Sequence, residues 1–311
     1  MISMRGLDEA RALYEQRGRA AIAAALPDWE GRIAVGLAGR GSQCFGFDDE
    51  LSRDHDFAQG FCLWLTDEDD VKIGVALARL YRSLGFAGAQ AHSAMAEEGL
   101  GVRRISDFYR RYTGSDGAPE SWQQWMAIPS WALAEATNGE VWRDELGEFS
   151  GLRETLRHGM PEDVRRKKLA AKLIAMAQAG QYNYPRCLKH GESGAAMLAL
   201  GEFVNAASDA VFLLCRAHRP YYKWSFRAMR ELPEFGQALC EPLAFLLTGE
   251  NGGEGDALKI QLVEDICASV VRELRAQELS GAGGDYLESH AYAVQGSIRN
   301  GAIRALHVME E

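Results

Sequence analysis

The chain has 311 residues, 47% of them hydrophobic, and a formal net charge of −10. That length suggests two domains with real cores, and the acidic balance disfavours a broad nucleic-acid surface, which needs clustered Lys and Arg. Every apolar run meets charge or glycine before it reaches membrane-spanning length, the first residues lack a signal-peptide core, and the six cysteines form no Cys-x-x-Cys pair, so a cytoplasmic protein without a structural zinc site is expected.

In chain order, residues 7–26 carry apolar side chains at helical spacing, and Pro27 ends the run. Residues 32–38 predict a short buried strand, 39–53 a loop with room for a helical turn, and 54–66 a second strand. The helix expected over 67–84 opens with four acidic residues, which suit a helix N-terminus, and Gly85 follows it. A third strand at 101–105, a helix at 107–112, a loop at 113–119, a helix at 122–136 and an edge strand at 139–143 complete the first half. Alternating helices and strands predict an α+β domain, a small mixed sheet with flanking helices. From about Pro161 the period is helical throughout, with helices at 162–178, 190–218, 233–247, 256–279 and 285–307. An all-α helical bundle is expected there, giving domains at 1–156 and 157–311.

The chemically densest stretch lies between residues 37 and 57. One apolar run leads into Gly41-Ser42, and the next begins with Asp54-His55-Asp56. Side chains alternate along a strand, so Asp54 and Asp56 would share a face and His55 would take the other. Magnesium prefers oxygen ligands and is commonly held by one or two carboxylates plus substrate phosphates. A Gly-Ser turn can receive phosphate oxygens through backbone N–H and hydroxyl, because glycine permits close approach. Phosphoryl and nucleotidyl transfers need charge neutralisation and alignment more than covalent chemistry. Arg53 can either orient phosphate or pair with Asp48 or Asp49, while Asp48 can brace the glycine turn. Lys223, between Tyr222 and Trp224, can reach a phosphate or snorkel over packed aromatics. Gln181, Asn183 and Arg186 form a polar turn that either reads an acceptor or joins two helices. Cys44 is expected to be a packing residue.

Gly41-Ser42, eleven residues, then Asp54-His55-Asp56 resembles the signature of the nucleotidyltransferase superfamily, the fold shared by DNA polymerase beta and aminoglycoside nucleotidyltransferases. The longer string Gly39-Arg40-Gly41-Ser42, Gly46-Phe47-Asp48-Asp49-Glu50 and Ser52-Arg53-Asp54-His55-Asp56 is similar to a bacterial branch of that superfamily with a helical C-terminal domain. The likeness continues at Gly180-Gln181-Tyr182-Asn183, Arg186 and Pro220-Tyr221-Tyr222-Lys223-Trp224. It implies a nucleotidyltransferase sheet, Mg2+ held by Asp54 and Asp56, and a nucleoside triphosphate, taken as ATP, received by Gly41, Ser42, Arg53 and Lys223. It also implies a small-molecule acceptor hydroxyl that the helical domain helps to bind. Superfamily members usually carry a third carboxylate on the next strand, where this chain has Arg103-Arg104. Asp107 is the nearest acid beyond it. Glu140, Asp144 and, from the helical half, Glu192 are the other candidates. The expectation is a magnesium-dependent transfer of AMP from ATP to a small-molecule hydroxyl. The alternatives are a protein or RNA acceptor, or a degenerate nucleotide-binding regulatory module. No membrane partner is expected, nucleic acid is disfavoured, and a homodimer is left open.

Overall fold

The computed structural model describes residues 5–49, 59–86 and 100–311. The chain forms two compact units, Met1–Gln124 with Ile128–Gly159, and Trp125–Ala127 with Met160–Glu311.

The first unit is built on a mixed four-stranded sheet of β1 (Ala34–Leu37), β2 (Cys62–Leu65), β3 (Gly101–Arg104) and β4 (Glu140–Arg143), in the order β3-β2-β1-β4. β1 runs antiparallel to β2 and β4, and β2 runs parallel to β3. Every residue of β1 and β2 is buried, as strands covered on both faces must be. Val35, Leu63 and Leu65 pack into a cluster with Tyr14, Ile22, Ile73, Leu77 and Tyr81. Trp64 alternates to the opposite face, where it stacks on Phe149 at 3.9 Å and meets Phe108 edge-on at 5.6 Å.

The helices of this unit are α1 (Gly6–Leu13), continued through a π-helical stretch Tyr14–Gly18 into α2 (Arg19–Ala25), then the single turn α3 (Ser42–Phe45) and α4 (Asp67–Ser83). After β3 come α5 (Ile105–Thr113), α6 (Trp122–Ala127), whose residues from Trp125 on belong to the second unit, α7 (Ser130–Thr137) and, past β4, α8 (Glu148–His158). Thr66 caps α4, its hydroxyl accepting from Asp69 N at 3.2 Å, a common N-cap device.

Two expectations change here. The helix expected over 122–136 is two helices, because Ile128 precedes Pro129 and is extended (φ −82°, ψ 120°), the conformation a following proline imposes. The strand expected from residue 54 begins only at Cys62. Gly60 has φ +151°, and a Cβ there would lie 2.4 Å from the Tyr81 hydroxyl, which itself accepts from Phe61 N at 3.1 Å. Residues 59–61 are therefore outside the strand, and Asp54 and Asp56 lie outside the described residues.

The second unit is helical: α9 (Glu162–Met176), a π-helical stretch Ala177–Asn183, α10 (Tyr184–Lys189), α11 (Ser193–Leu214), α12 (Tyr222–Met229), α13 (Glu234–Thr248), α14 (Gly253–Ala276), α15 (Leu287–Gly296) and α16 (Gly301–Arg304). Leu173, Phe203, Val211, Leu243 and Val270 anchor its core. α11 corrects one expectation: with 22 residues and a mean hydropathy of 1.5 it is long and apolar enough to cross a bilayer. Its buried stripe, Leu200, Phe203, Ala207, Val211 and Leu214, instead packs into the helical core. The single helix expected over 285–307 is broken before Asn300, whose side chain caps α16 by accepting from Ala302 N and Ile303 N.

Candidate functional site

β1 delivers the chain into a turn at Gly39–Ser42. Gly39 and Gly41 have φ values of +112° and +116°, which side chains with a Cβ rarely adopt. The turn is held by a residue far along the chain. Asn138 accepts from Gly39 N at 2.8 Å and donates through Nδ2 to Gly39 O at 2.7 Å. Asn138 is brought there by the close approach of β4 to β1. A Cβ on Gly139, at φ +68°, would lie 1.9 Å from Leu37 O. From α8, Arg153 donates to Asn138 O at 2.9 Å and to Gly139 O at 2.6 Å, locking the strand entry.

The inner side of Gly39 faces Tyr112 and Phe108 of α5, 2.9 and 3.4 Å from where a Cβ would sit. Over Gly41 nothing among the described residues comes within 4 Å of that position, so they leave this part of the turn open. Ser42 is buried and starts α3, whose end is closed by Phe47 N donating to Ser42 O at 2.9 Å.

Glu135 lies one helical turn before Asn138 on α7 and is half-buried. Among the described residues it makes no hydrogen bond or ion pair. Burial raises its carboxyl above the ordinary value, against the opposing pull of Arg40 and Arg111. It in turn acts on Tyr112 and Cys44, both of which flank the turn. Cys44 is buried, and burial pushes its thiol well up. Its Sγ donates to Arg40 O at 3.5 Å, consistent with a neutral packing residue.

Arg53, Asp54 and Asp56 lie outside the described residues. Asp48 accepts from Gly6 N at 2.8 Å, so it braces the start of α1, and its other oxygen is buried without a hydrogen bond. Asp107 accepts two hydrogen bonds from Arg104, at 2.7 and 3.0 Å, and one from Arg110 at 2.8 Å. Glu140 accepts from Trp142 Nε1 at 3.0 Å. Asp144 accepts from Gly147 N and Ser150 N at the start of α8. In the second unit, Glu192 is exposed beside the N-terminus of α11, and Lys223 is exposed in the first turn of α12, 4.8 Å over the Trp224 ring. Gln181 bonds to Glu264, Asp285 O and Leu287 N, which makes it a joint between helices. No group of three or more His, Cys, Asp or Glu side chains among the described residues is arranged to hold a metal.

The structure thus gathers Gly39, Arg40, Gly41, Ser42, Tyr112, Glu135 and Asn138 in one place. Asn138 and Glu135 were not singled out from the sequence. The Asn138-Gly139 pair is a turn signal ahead of a strand, but no spacing rule links it to Gly39.

Residues 125–225 match the family described as Domain of unknown function (DUF4037). That segment, about a third of the chain, contains Glu135, Asn138 and Lys223 and follows the Gly39–Ser42 turn in sequence. No curated protein matches the chain.

Proposed function

We propose that this chain is a magnesium-dependent nucleotidyltransferase that moves AMP from ATP onto a hydroxyl of a small-molecule acceptor. The observation that carries this is the Gly39–Ser42 turn. It leaves a buried strand with two glycines at positive φ, is clamped by the Asn138 amide, and among the described residues is open over Gly41. In sequence it is followed by the paired acids Asp54 and Asp56.

Gly41 N–H and the Ser42 hydroxyl receive the outer phosphates, with Arg53 adding positive charge. Asn138 holds the turn in the shape that does this. Asp54 and Asp56 are hard oxygen donors suited to Mg2+, which when bound supplies neutralisation of the triphosphate and activation of the attacking oxygen. The acceptor oxygen attacks the α-phosphorus, the bond to the β-phosphate bridging oxygen breaks, and pyrophosphate leaves with the electron pair. The acceptor proton passes to the Glu135 carboxylate. Glu135 fits this role better than Asp107, whose two oxygens are engaged by Arg104 and Arg110, because its raised pKa makes it the stronger base once ionised.

The test is pyrophosphate release from ATP and Mg2+ across a panel of hydroxyl acceptors. Asp54→Asn is expected to abolish release, and Glu135→Gln to lower kcat by roughly 10²-fold or more. Full activity in Asp54→Asn overturns the proposal. A nucleotide-binding regulatory module is the second reading, favoured by Arg103 and Arg104 on β3, where a third acid would stand. Calorimetric binding of ATP and Mg2+ without pyrophosphate release from any acceptor would select it. Intact-mass spectrometry of candidate protein partners after the same incubation reveals a protein acceptor as a gain of one nucleotide.

A further inference from the structure

Between α13 and α14 the second unit carries an open cavity of about 380 Å³. Its walls are apolar, with Phe235, Leu239 and Pro242 from α13 and Leu262 and Ile266 from α14. One helical turn beyond Pro242 and Leu262, Phe245 and Leu258 continue the apolar strip, 39% and 53% exposed.

The polar groups of this cavity follow one line along α14. Asp265, Ser269 and Arg272 all border it, and their spacing of four and then three residues places them on one helix face. Among the described residues neither Asp265 nor Arg272 forms an ion pair: Asp265 accepts from Gln261 at 3.0 Å, and Arg272 donates to the Ser269 hydroxyl at 2.7 Å.

This face is complementary to itself. About a two-fold axis through Ser269, α14 of a second copy runs antiparallel to the first, and each contact is made twice. Asp265 then comes opposite the partner's Arg272, and Arg272 opposite the partner's Asp265. Leu262 and Ala276, each seven residues from the axis, set a large side chain against a small one. Ser269 at the axis is small, and the side chains at a helix contact set how closely the axes approach. A parallel arrangement would instead put Asp265 against the partner's Asp265, which like-charge repulsion opposes.

We propose that the α13–α14 face is a homodimer interface, in which α14 of each copy seats in the other's groove and the Asp265–Arg272 pair forms twice. Arg272 exchanges the neutral Ser269 hydroxyl for a carboxylate, a stronger acceptor. The surface lies wholly in the second unit, and the proposal is independent of the nucleotidyl-transfer reading.

Sedimentation velocity of the full chain across a dilution series tests it, and wild type is expected to be dimeric at the upper end. Arg272→Glu opposes two carboxylates at each contact, and Asp265→Arg opposes two cations. Each is expected to raise the dimer dissociation constant roughly tenfold or more. Both side chains are exposed, so circular dichroism should show the fold retained. Asp265→Arg combined with Arg272→Glu reverses both signs and is expected to restore association to within about threefold of wild type. A wild type that stays monomeric up to its solubility limit overturns the proposal and leaves the groove to another molecule. A dimer that neither reversal weakens overturns it by placing the interface elsewhere, and so does a combined variant that associates no better than the single ones. If one reversal does not fold, the other decides.

Discussion

Asn138 directs both ends of its amide at a single backbone unit, Gly39, and so fixes the turn. Asn138→Ala removes both hydrogen bonds. It should cost about 1–3 kcal/mol in urea unfolding and, on the proposed function, raise KM for ATP, while Asn138→Asp, which keeps the acceptor and loses the donor, should fall between. Unchanged stability in Asn138→Ala would falsify the clamp. The glycines separate clash from strain. Gly139→Ala would put a Cβ 1.9 Å from Leu37 O, whereas Gly41→Ala meets no described residue within 4 Å and is strained by its φ of +116°. Gly139→Ala is expected to destabilise by more than ~2 kcal/mol and Gly41→Ala by ~1–2 kcal/mol, compared by chemical denaturation; the reverse order would contradict the close approach of β4 to β1. At this scale the sequence was half legible. Gly41-Ser42 could be read as a turn because glycine marks one, whereas Asn138 and Glu135 acquire meaning only from neighbours about a hundred positions away, which no local pattern encodes.

Among the elements, α4 and α11 were readable because their signals are internal. Four acids and a following glycine bound α4, and a continuous apolar stripe marks α11. The short helices α8, α10 and α12 were not expected, since helices of 6 to 11 residues carry too few turns for periodicity to stand out. The start of α9 shows how an element end is tied down. Glu162 binds Arg165, Arg166 and Arg216, and Arg165 also donates to Leu213 O near the end of α11. Burial would raise the Glu162 carboxyl, but those hydrogen bonds and charges outweigh it and bring the pKa from 4.5 down to about 2. A depressed carboxyl stabilises the fold above its unfolded pKa and loses that contribution as pH falls through the folded one. Wild type should therefore lose stability between about pH 4.5 and 2 more steeply than Glu162→Gln, as followed by circular dichroism. Parallel acid limbs in the two proteins would show that the Arg cluster does not stabilise the ionised form.

On the scale of the whole molecule, the chain passes from the first unit into the second at Trp125–Ala127, returns, and leaves again at Met160. The α+β first half and the helical second half were visible as a change of period near Pro161; this double crossing was not, because a three-residue excursion has no compositional signature. Each unit has its own apolar cluster, so a fragment of residues 160–311 is expected to unfold cooperatively on heating, with a helical spectrum beforehand. It should be weaker than the same unit in the full chain, having lost the Met126 carbonyl that Lys168 binds. A broad, non-cooperative melt would contradict an independent core. The Asn138–Gly39 pairing also spans 99 positions, so closing it carries the entropy of a long loop. During synthesis, a nascent chain that has emerged only as far as α7 holds the glycine-serine residues but not yet their architecture. A polypeptide terminated before residue 138 should accordingly lack the settled turn, and any affinity that the turn confers should appear only once residue 138 has emerged.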